Sequence, residues 1–238
     1  MRQIFLICLL IPVIGLSQGT VVSAFRVFPK IDKTLEFEKA FAAHAQKYHT
    51  GDWKWRVLSI ESGPDAGGFH VVEGPLTWDQ FDKRGNLGDA HTADWAKNVM
   101  PFTADRGTSG YSEYSAELSN VAITDYTEKI IITHMFPKSG MIVQATDLVK
   151  RMKKVWQASN ENVAVYRSFA SGPPQIVTVA RLKGGLKELA EGFRKPVAER
   201  FDAANGAGSW TQYLADYANA IESRWSELLF LRADLSSK

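Results

Sequence analysis

Two predicted strands each carry one side chain that could do chemistry. Arg26 lies in VVSAFRVF and His134 lies in KIIITHMF, each with apolar neighbours on its own strand face. An arginine in such a place can hold a carboxylate or an oxyanion, and a histidine can move a proton or bind a metal. We predict that Arg26 holds an anionic group and that His134 acts as acid and base. The alternatives are that these strands turn their other face inward, or that both residues make only structural hydrogen bonds with Tyr or Glu.

Four further residues are predicted to contact a ligand. His70 lies on a strand in FHVV, while Tyr166 and Glu61 lie on hairpin strands, where a Tyr–Glu–His combination would support proton transfer. Trp55 stands at the start of a strand, where an aromatic ring could line the mouth of a cavity. For Tyr166 and Glu61 the alternative is cross-strand packing, and for His70 it is drift at a sheet edge.

Other histidines and carboxylates lie outside these strands, and we assign no metal site to them. Asp89, His91 and Asp94 are ligand types, but they stand where a helix begins, and the helix dipole favours carboxylates there equally well. His44 shares the apolar face of an earlier helix, which is typical of a core histidine. His49 follows that helix and is predicted to be exposed.

Familiar catalytic and cofactor motifs are missing from the sequence. It has no H-E-x-x-H, no phosphate-binding G-x-x-x-x-G-K-[ST], no G-x-S-x-G and no G-x-G-x-x-G. The reaction, any cofactor and the oligomeric state are therefore left open. The 238 residues include 28 Lys and Arg against 26 Asp and Glu, and a net charge of +2 gives no reason to expect nucleic acid as a partner.

The elements that would position these residues occur twice. The tripeptide FPK at 28–30 recurs at 136–138, and SGP at 62–64 recurs at 171–173, so the two offsets are 108 and 109 residues. An offset of 108 places Arg26 opposite His134. We predict two units, 18–124 and 125–238.

Each unit is predicted to follow the order β-α-β-β-α-β, the ferredoxin-like motif of the α+β class. Two helices cover only one face of such a sheet, so the other faces of the two sheets must be buried against each other. This element order and duplication resemble the dimeric α+β-barrel superfamily, in the version where two units are fused in one chain. The resemblance covers most of the chain, and no diagnostic motif supports it.

The resemblance implies a range of functions. The superfamily includes monooxygenases, isomerases, haem proteins such as the chlorite dismutases, and NIPSNAP-like proteins. We expect a small organic molecule to be bound or transformed in the cavity between the sheets, as in a cofactor-free monooxygenase or isomerase. One alternative is a haem or metal protein that uses His134 or His70. Another is a non-enzymatic interaction protein, which predicts a filled interior and an exposed apolar patch.

The N-terminal segment predicts export. Arg2 precedes an apolar stretch at 4–16, and Gly15 and Ser17 are small residues before a cut at Gln18, so 1–17 has the parts of a secretory signal peptide. We expect a periplasmic or extracellular protein with no membrane span in its mature chain. Cys8 lies inside this segment, and without it the chain has no cysteine for a disulfide or a thiolate.

Overall fold

The computed structural model describes residues 19–168 and 170–238. The predicted signal peptide and its cysteine lie outside the described residues. The strands are β1 (Val21–Pro29), β2 (Trp55–Ile60), β3 (Phe69–Leu76), β4 (Thr103–Tyr114), β5 (Lys129–Pro137), β6 (Val163–Ser168), β7 (Gln175–Arg181) and β8 (Ile221–Leu231). The α-helices are α1 (Thr34–Tyr48), α2 (Trp78–Lys83), α3 (Asp89–Asp94), α4 (Ile142–Ala158), α5 (Val197–Asn205) and α6 (Ser209–Ala220).

The eight strands form one closed antiparallel barrel in the order β1-β3-β2-β8-β5-β7-β6-β4. The prediction of two tandem ferredoxin-like units with separate sheets is therefore wrong. Hydrogen-bonded ladders join the two halves on both sides: Leu58 pairs with Leu231 between β2 and β8, and Tyr114 pairs with Tyr166 between β4 and β6. Two separate sheets would have four open edge strands with unpaired backbone groups, and closure pairs them.

The halves contribute their strands in the same relative order, β4-β1-β3-β2 and β8-β5-β7-β6. The C-terminal tail nevertheless crosses from the second half to the first. Leu235 is buried in the core that contains Phe37 and Phe41. Nη1 and Nη2 of Arg232 each donate a hydrogen bond of 2.9 Å to the carboxylate of Glu38. The barrel and the tail join the two halves of the chain. The division into units 18–124 and 125–238 remains a prediction.

Helices cover the outside of the barrel. In α1, Phe37, Phe41 and Ala45 recur every four residues and form one buried face, and the rings of Phe37 and Phe41 stack at 5.2 Å. On the other half, α4, α5 and α6 form a second core that includes Leu148 and Phe201. No helix within 19–168 or 170–238 combines the length and the apolar character needed to cross a bilayer.

Alternation along each strand separates this outer core from the barrel interior. In β2, Trp55 and Val57 face outward and are buried with the α1 core, whereas Arg56 and Leu58 face inward. In β8, Trp225 faces the interior on the same side of the strand as Glu227. The inward positions therefore decide which side chains can meet a ligand.

Candidate functional site

A cavity of about 630 Å³ lies inside the barrel and is lined by residues from all eight strands. Small-molecule sites usually occupy roughly 300–1,000 Å³. Much of the wall is apolar, including Val22, Ala24, Leu58, Val72, Ile130, Ile132, Val177 and Val179. Charged side chains lie at both ends. We call the end beside the β2–β3 and β6–β7 loops the hairpin end, and the opposite end, where β2 begins and β7 finishes, the arginine end.

Four charged or titratable residues meet at the hairpin end and form the histidine–carboxylate cluster: Arg26, Asp65, His134 and Glu227. Arg26 donates hydrogen bonds to Asp65 and to both carboxylate oxygens of Glu227. The distance from Nη1 of Arg26 to Oε2 of Glu227 is 3.0 Å. Glu227 and Arg26 are buried. Two carboxylates outnumber one guanidinium, so the cluster has one excess negative charge when His134 is neutral. A proton on His134 would balance that charge.

His134 is held on all sides by this cluster and its neighbours. Its Nε2 lies 3.2 Å from Oε1 of Glu227 and 3.4 Å from Nη2 of Arg26, and its Nδ1 lies 2.9 Å from Oε1 of Gln175. The imidazole stacks on Trp225 with ring centroids 4.0 Å apart. Nε2 therefore faces a carboxylate oxygen and Nδ1 faces an amide oxygen, and these contacts fix the orientation of the ring.

His70 lines the same cavity on β3, directly opposite Arg26 of β1. Burial, together with the nearby Arg26 and His134, lowers the pKa of His70 to about 3. Its Nδ1 is buried and has no hydrogen-bond partner among the residues that the structure describes. His70 is therefore a neutral imidazole at neutral pH, available as a hydrogen-bond partner or as a ligand.

Arg56 and Arg181, the arginine pair, face the opposite end of the cavity. Arg181 is buried and donates to the carbonyl oxygens of Ala122 and Ile123 at 2.8 and 3.1 Å. Arg56 donates to the carbonyl of Gly74 at 2.8 Å. Among residues 19–168 and 170–238, neither guanidinium has a carboxylate within 4.0 Å.

One aromatic ring brings the arginine pair together. The guanidinium carbons of Arg56 and Arg181 lie 3.8 and 5.8 Å from the ring centroid of Tyr126. Burial lowers the pKa of Arg56, and the nearby Arg181 also lowers it, but an arginine remains charged at neutral pH. Burial raises the pKa of Tyr166 at this end, so its phenol stays protonated. The arginine end thus presents positive charge that no carboxylate among the described residues pairs with.

Four of the six predicted site residues line the cavity: Arg26, His70, His134 and Tyr166. Trp55 does not, because its position in β2 faces outward. Its ring stacks on His49 at 3.4 Å, and its indole nitrogen donates to Glu73 at 3.2 Å. Glu61 follows the last residue of β2, is exposed, and accepts a hydrogen bond from Ser59.

Sequence reasoning missed Glu227, Asp65 and the arginine pair. A signal for Glu227 was present, since Trp225, Glu227 and Leu229 alternate along β8 and a carboxylate in such a row faces inward. Asp65 lies in a turn, and nothing in its local sequence indicates an inward contact. Arg56 lies at an inward position of β2, next to Trp55, the predicted ligand contact that faces outward.

Comparison with known proteins identifies similar folds and no family. No family model matches the chain, and no curated protein matches it. Among solved structures, an anthrone oxidase-like protein is 10% identical, with a TM-score of 0.59 over 91% of this chain and 92% of that one.

Two further structures have different stated activities. A candidate monooxygenase from Fusobacterium nucleatum subsp. nucleatum is 12% identical, with a TM-score of 0.55 over 90% of this chain and 93% of that one. A mutant chlorite dismutase from Candidatus Nitrospira defluvii, in complex with cyanide, is 8% identical, with a TM-score of 0.51 over 92% of this chain and 93% of that one.

The likeness extends over nine-tenths of each chain, so this chain shares the fold of these proteins, and no family is resolved. At such low identity the likeness shows the fold alone. A shared fold does not by itself assign an activity, because one fold can carry many functions.

Proposed function

We propose that this protein binds a small organic acid in the barrel cavity and transforms it by proton transfer. The arginine pair carries the proposal, because two guanidiniums that lack a carboxylate among the described residues face an apolar cavity. A bound carboxylate would balance one of the two positive charges and accept charge-assisted hydrogen bonds, which are stronger than neutral ones. The apolar wall would then hold the body of the molecule, with its far end at the histidine–carboxylate cluster.

In this arrangement His134 moves the proton. Glu227 faces its Nε2 and can stabilise the imidazolium, while Gln175 holds Nδ1 and fixes the ring orientation. The role of Arg26 differs from the one that the sequence suggested. Its guanidinium is already bonded to Glu227 and Asp65, so we assign anion binding to the arginine pair and a positioning role to Arg26.

Two reaction classes start from the same step. Removal of a proton from the bound acid by His134 leaves a carbanion or an oxyanion on the substrate. Return of the proton to a different atom completes an isomerisation. In the monooxygenase alternative, dioxygen is the second substrate and adds to the carbanion to form a peroxide. The peroxide takes back the proton from His134 and loses water, which leaves a carbonyl group on the same carbon. The apolar wall favours either course, because it keeps water away from the anion.

The substrate class can be tested with a matched pair of ligands, 2-naphthoate and its methyl ester, by titration calorimetry. We expect the acid to bind at least 10-fold more tightly than the ester, because only the acid brings a negative charge to the two guanidiniums of the arginine pair. Arg56→Gln should remove this preference. Arg106→Gln is the control, since Arg106 is exposed and its guanidinium lies over Phe28. Equal binding of acid and ester by the wild-type protein would contradict the proposal.

Haem binding in the same cavity is the alternative, and His70 is the residue that favours it. Ligation through His134 would break one of its hydrogen bonds, to Gln175 or to Glu227. His70 is neutral, and no hydrogen bond to a described residue holds its Nδ1. A haem would supply redox chemistry. Added haemin should give a Soret shift that His70→Ala abolishes and His134→Ala keeps, and the absence of any shift would exclude this alternative.

The cavity volume also bears on the interaction hypothesis. The interaction hypothesis predicted a filled interior, and the cavity of about 630 Å³ does not support it. Export remains a proposal that rests on the sequence of 1–17 alone. It predicts that the protein recovered from an exporting cell begins at Gln18, which intact mass measurement would detect.

A further inference from the structure

A second cluster of titratable side chains lies outside the barrel, on the opposite face of β2 from the cavity. His44 belongs to α1, His49 follows its last turn, and His91 belongs to α3. One ring nitrogen of each lies within 4.8 Å of those of the other two. We infer that these three histidines bind a divalent transition-metal ion, with zinc as the best match.

One of the three nitrogen–nitrogen distances matches a tetrahedral site as it stands. Nε2 of His49 and Nε2 of His91 are 3.3 Å apart. Two nitrogens bound at 2.0–2.1 Å to one tetrahedral zinc ion are about 3.3–3.4 Å from each other. A hydrogen bond between the two rings would give the same distance, but it would leave the third histidine unexplained.

That third histidine is the independent observation. His44 is buried, its Nδ1 lies 2.8 Å from Oδ2 of Asp94, and its Nε2 has no hydrogen-bond partner among the described residues. A buried polar nitrogen without a partner is costly, and a metal ion would satisfy it. His49, predicted to be exposed, is instead fully buried because its ring stacks on Trp55.

Carboxylates stand behind two of the three rings. Asp94 accepts from Nδ1 of His44, and Oε2 of Glu73 lies 3.6 Å from Nδ1 of His49. Metal-binding histidines commonly have such a carboxylate on the nitrogen opposite the metal, which fixes the tautomer and orients the ring.

Three histidine ligands leave one tetrahedral position open. Zinc sites with three protein ligands hold a water molecule or a substrate in the fourth position. His91 is half-buried, whereas His44 and His49 are buried, so the open position would lie on the side of α3. Imidazole suits zinc, copper and nickel, and the absence of a thiolate in the cluster disfavours softer ions. This inference does not depend on the function proposed for the barrel.

The test uses the full chain without a histidine tag, stripped with EDTA and desalted. We expect one Zn²⁺ per chain in a competition titration with a chromophoric chelator, and Co²⁺ should give the strong visible absorption of a tetrahedral site. His91→Gln, chosen because His91 is half-buried, should weaken Zn²⁺ binding at least 100-fold. His134→Gln is the matched control and should leave the affinity unchanged.

A second variant keeps the test decisive if His91→Gln folds poorly. Asp94→Asn retains all three histidines and should weaken Zn²⁺ about 10–100-fold through the lost orientation of His44. Zn²⁺ should also raise the melting temperature of the wild-type protein and leave that of His91→Gln unchanged. Zn²⁺ binding well below one per chain in the wild-type protein, or a folded His91→Gln variant with full affinity, would overturn the inference.

Discussion

Glu227 holds the hairpin end of the cavity together. Its carboxylate is buried, accepts two hydrogen bonds from Arg26, and faces Nε2 of His134 at 3.2 Å. The guanidinium would otherwise be a buried charge with only Asp65 as a partner. Removal of one member of a buried ion pair usually costs more than removal of both, because the remaining charge stays desolvated.

This asymmetry predicts the outcome of a double-mutant cycle. Glu227→Leu should lower the free energy of unfolding by about 3–5 kcal/mol, since Arg26 loses its main partner. Arg26→Met combined with Glu227→Leu should recover much of that loss. Urea unfolding of the four proteins measures both quantities. Strictly additive effects would show that the pair does not interact, contrary to the geometry.

His70 predicts a specific acid sensitivity. The native state keeps His70 neutral down to a pKa of about 3, whereas the unfolded chain protonates it near 6.5. As the pH falls below 6.5, the unfolded state binds a proton that the native state does not, so stability decreases by roughly 1.4 kcal/mol per pH unit from this residue. The effect is absent above pH 6.5 and stops below about pH 3.

The comparison that isolates this effect is wild type against His70→Gln. Between pH 7.5 and 4.5, the unfolding free energy should fall less steeply with decreasing pH for the variant than for the wild type. The difference in slope should approach the roughly 1.4 kcal/mol per pH unit that one proton contributes. Parallel curves would mean that His70 is protonated in the native state at these pH values.

At the scale of elements, α1 serves both sites indirectly. Its apolar face holds the outer side of β1–β3, and His44 extends from the same face toward α3. Phe37 and Phe41 are fully buried there, whereas Leu35 on the opposite face is 79% exposed. The position of β2, with Arg56 on its inner face, therefore depends on how α1 packs.

This packing predicts a contrast between two residues of one helix. Phe37→Ala should cost about 3–5 kcal/mol, because it leaves a cavity in a closely packed core. Leu35→Ala should change stability by less than about 0.5 kcal/mol. Thermal or urea unfolding measures both changes, and a similar cost for the two variants would contradict the assignment of the buried face.

At the scale of the whole molecule, the barrel is one closed sheet made from two halves with the same strand order. The seams are short: the β4–β6 ladder contains two directly paired positions and the β2–β8 ladder three. The C-terminal tail adds a further link, since Leu235 belongs to the core of the first half.

The seams predict how an isolated half behaves. A chain of residues 18–124 would expose the edges of β2 and β4, lose Leu235, and leave the cavity wall open to water. It should therefore self-associate or remain unfolded, because exposed edges and apolar faces seek partners. Light scattering after size exclusion measures its mass. A folded monomer would show that each half is stable on its own.

Part of the site followed from local pattern. Arg26 and His134 stand among apolar neighbours on strands, and the repeat offset of 108 residues relates the two positions. The side chains do meet, at 3.4 Å. Trp55 shows the limit of such reasoning, because a residue at the start of a strand can face either side until the register is known.

The amino-acid sequence by itself determined the strand and helix periodicities, the internal duplication and the pair of inward-facing polar residues, since these depend on side chains close together in the chain. Only the tertiary structure decided the closed barrel, the contact of Arg26 with Glu227, and the gathering of His44, His49 and His91. The physical reason is the separation of the contacting residues along the chain. Arg26 and Glu227 are 201 residues apart. What joins them is the successive pairing of β1, β3, β2 and β8 in the closed barrel, which no local pattern specifies.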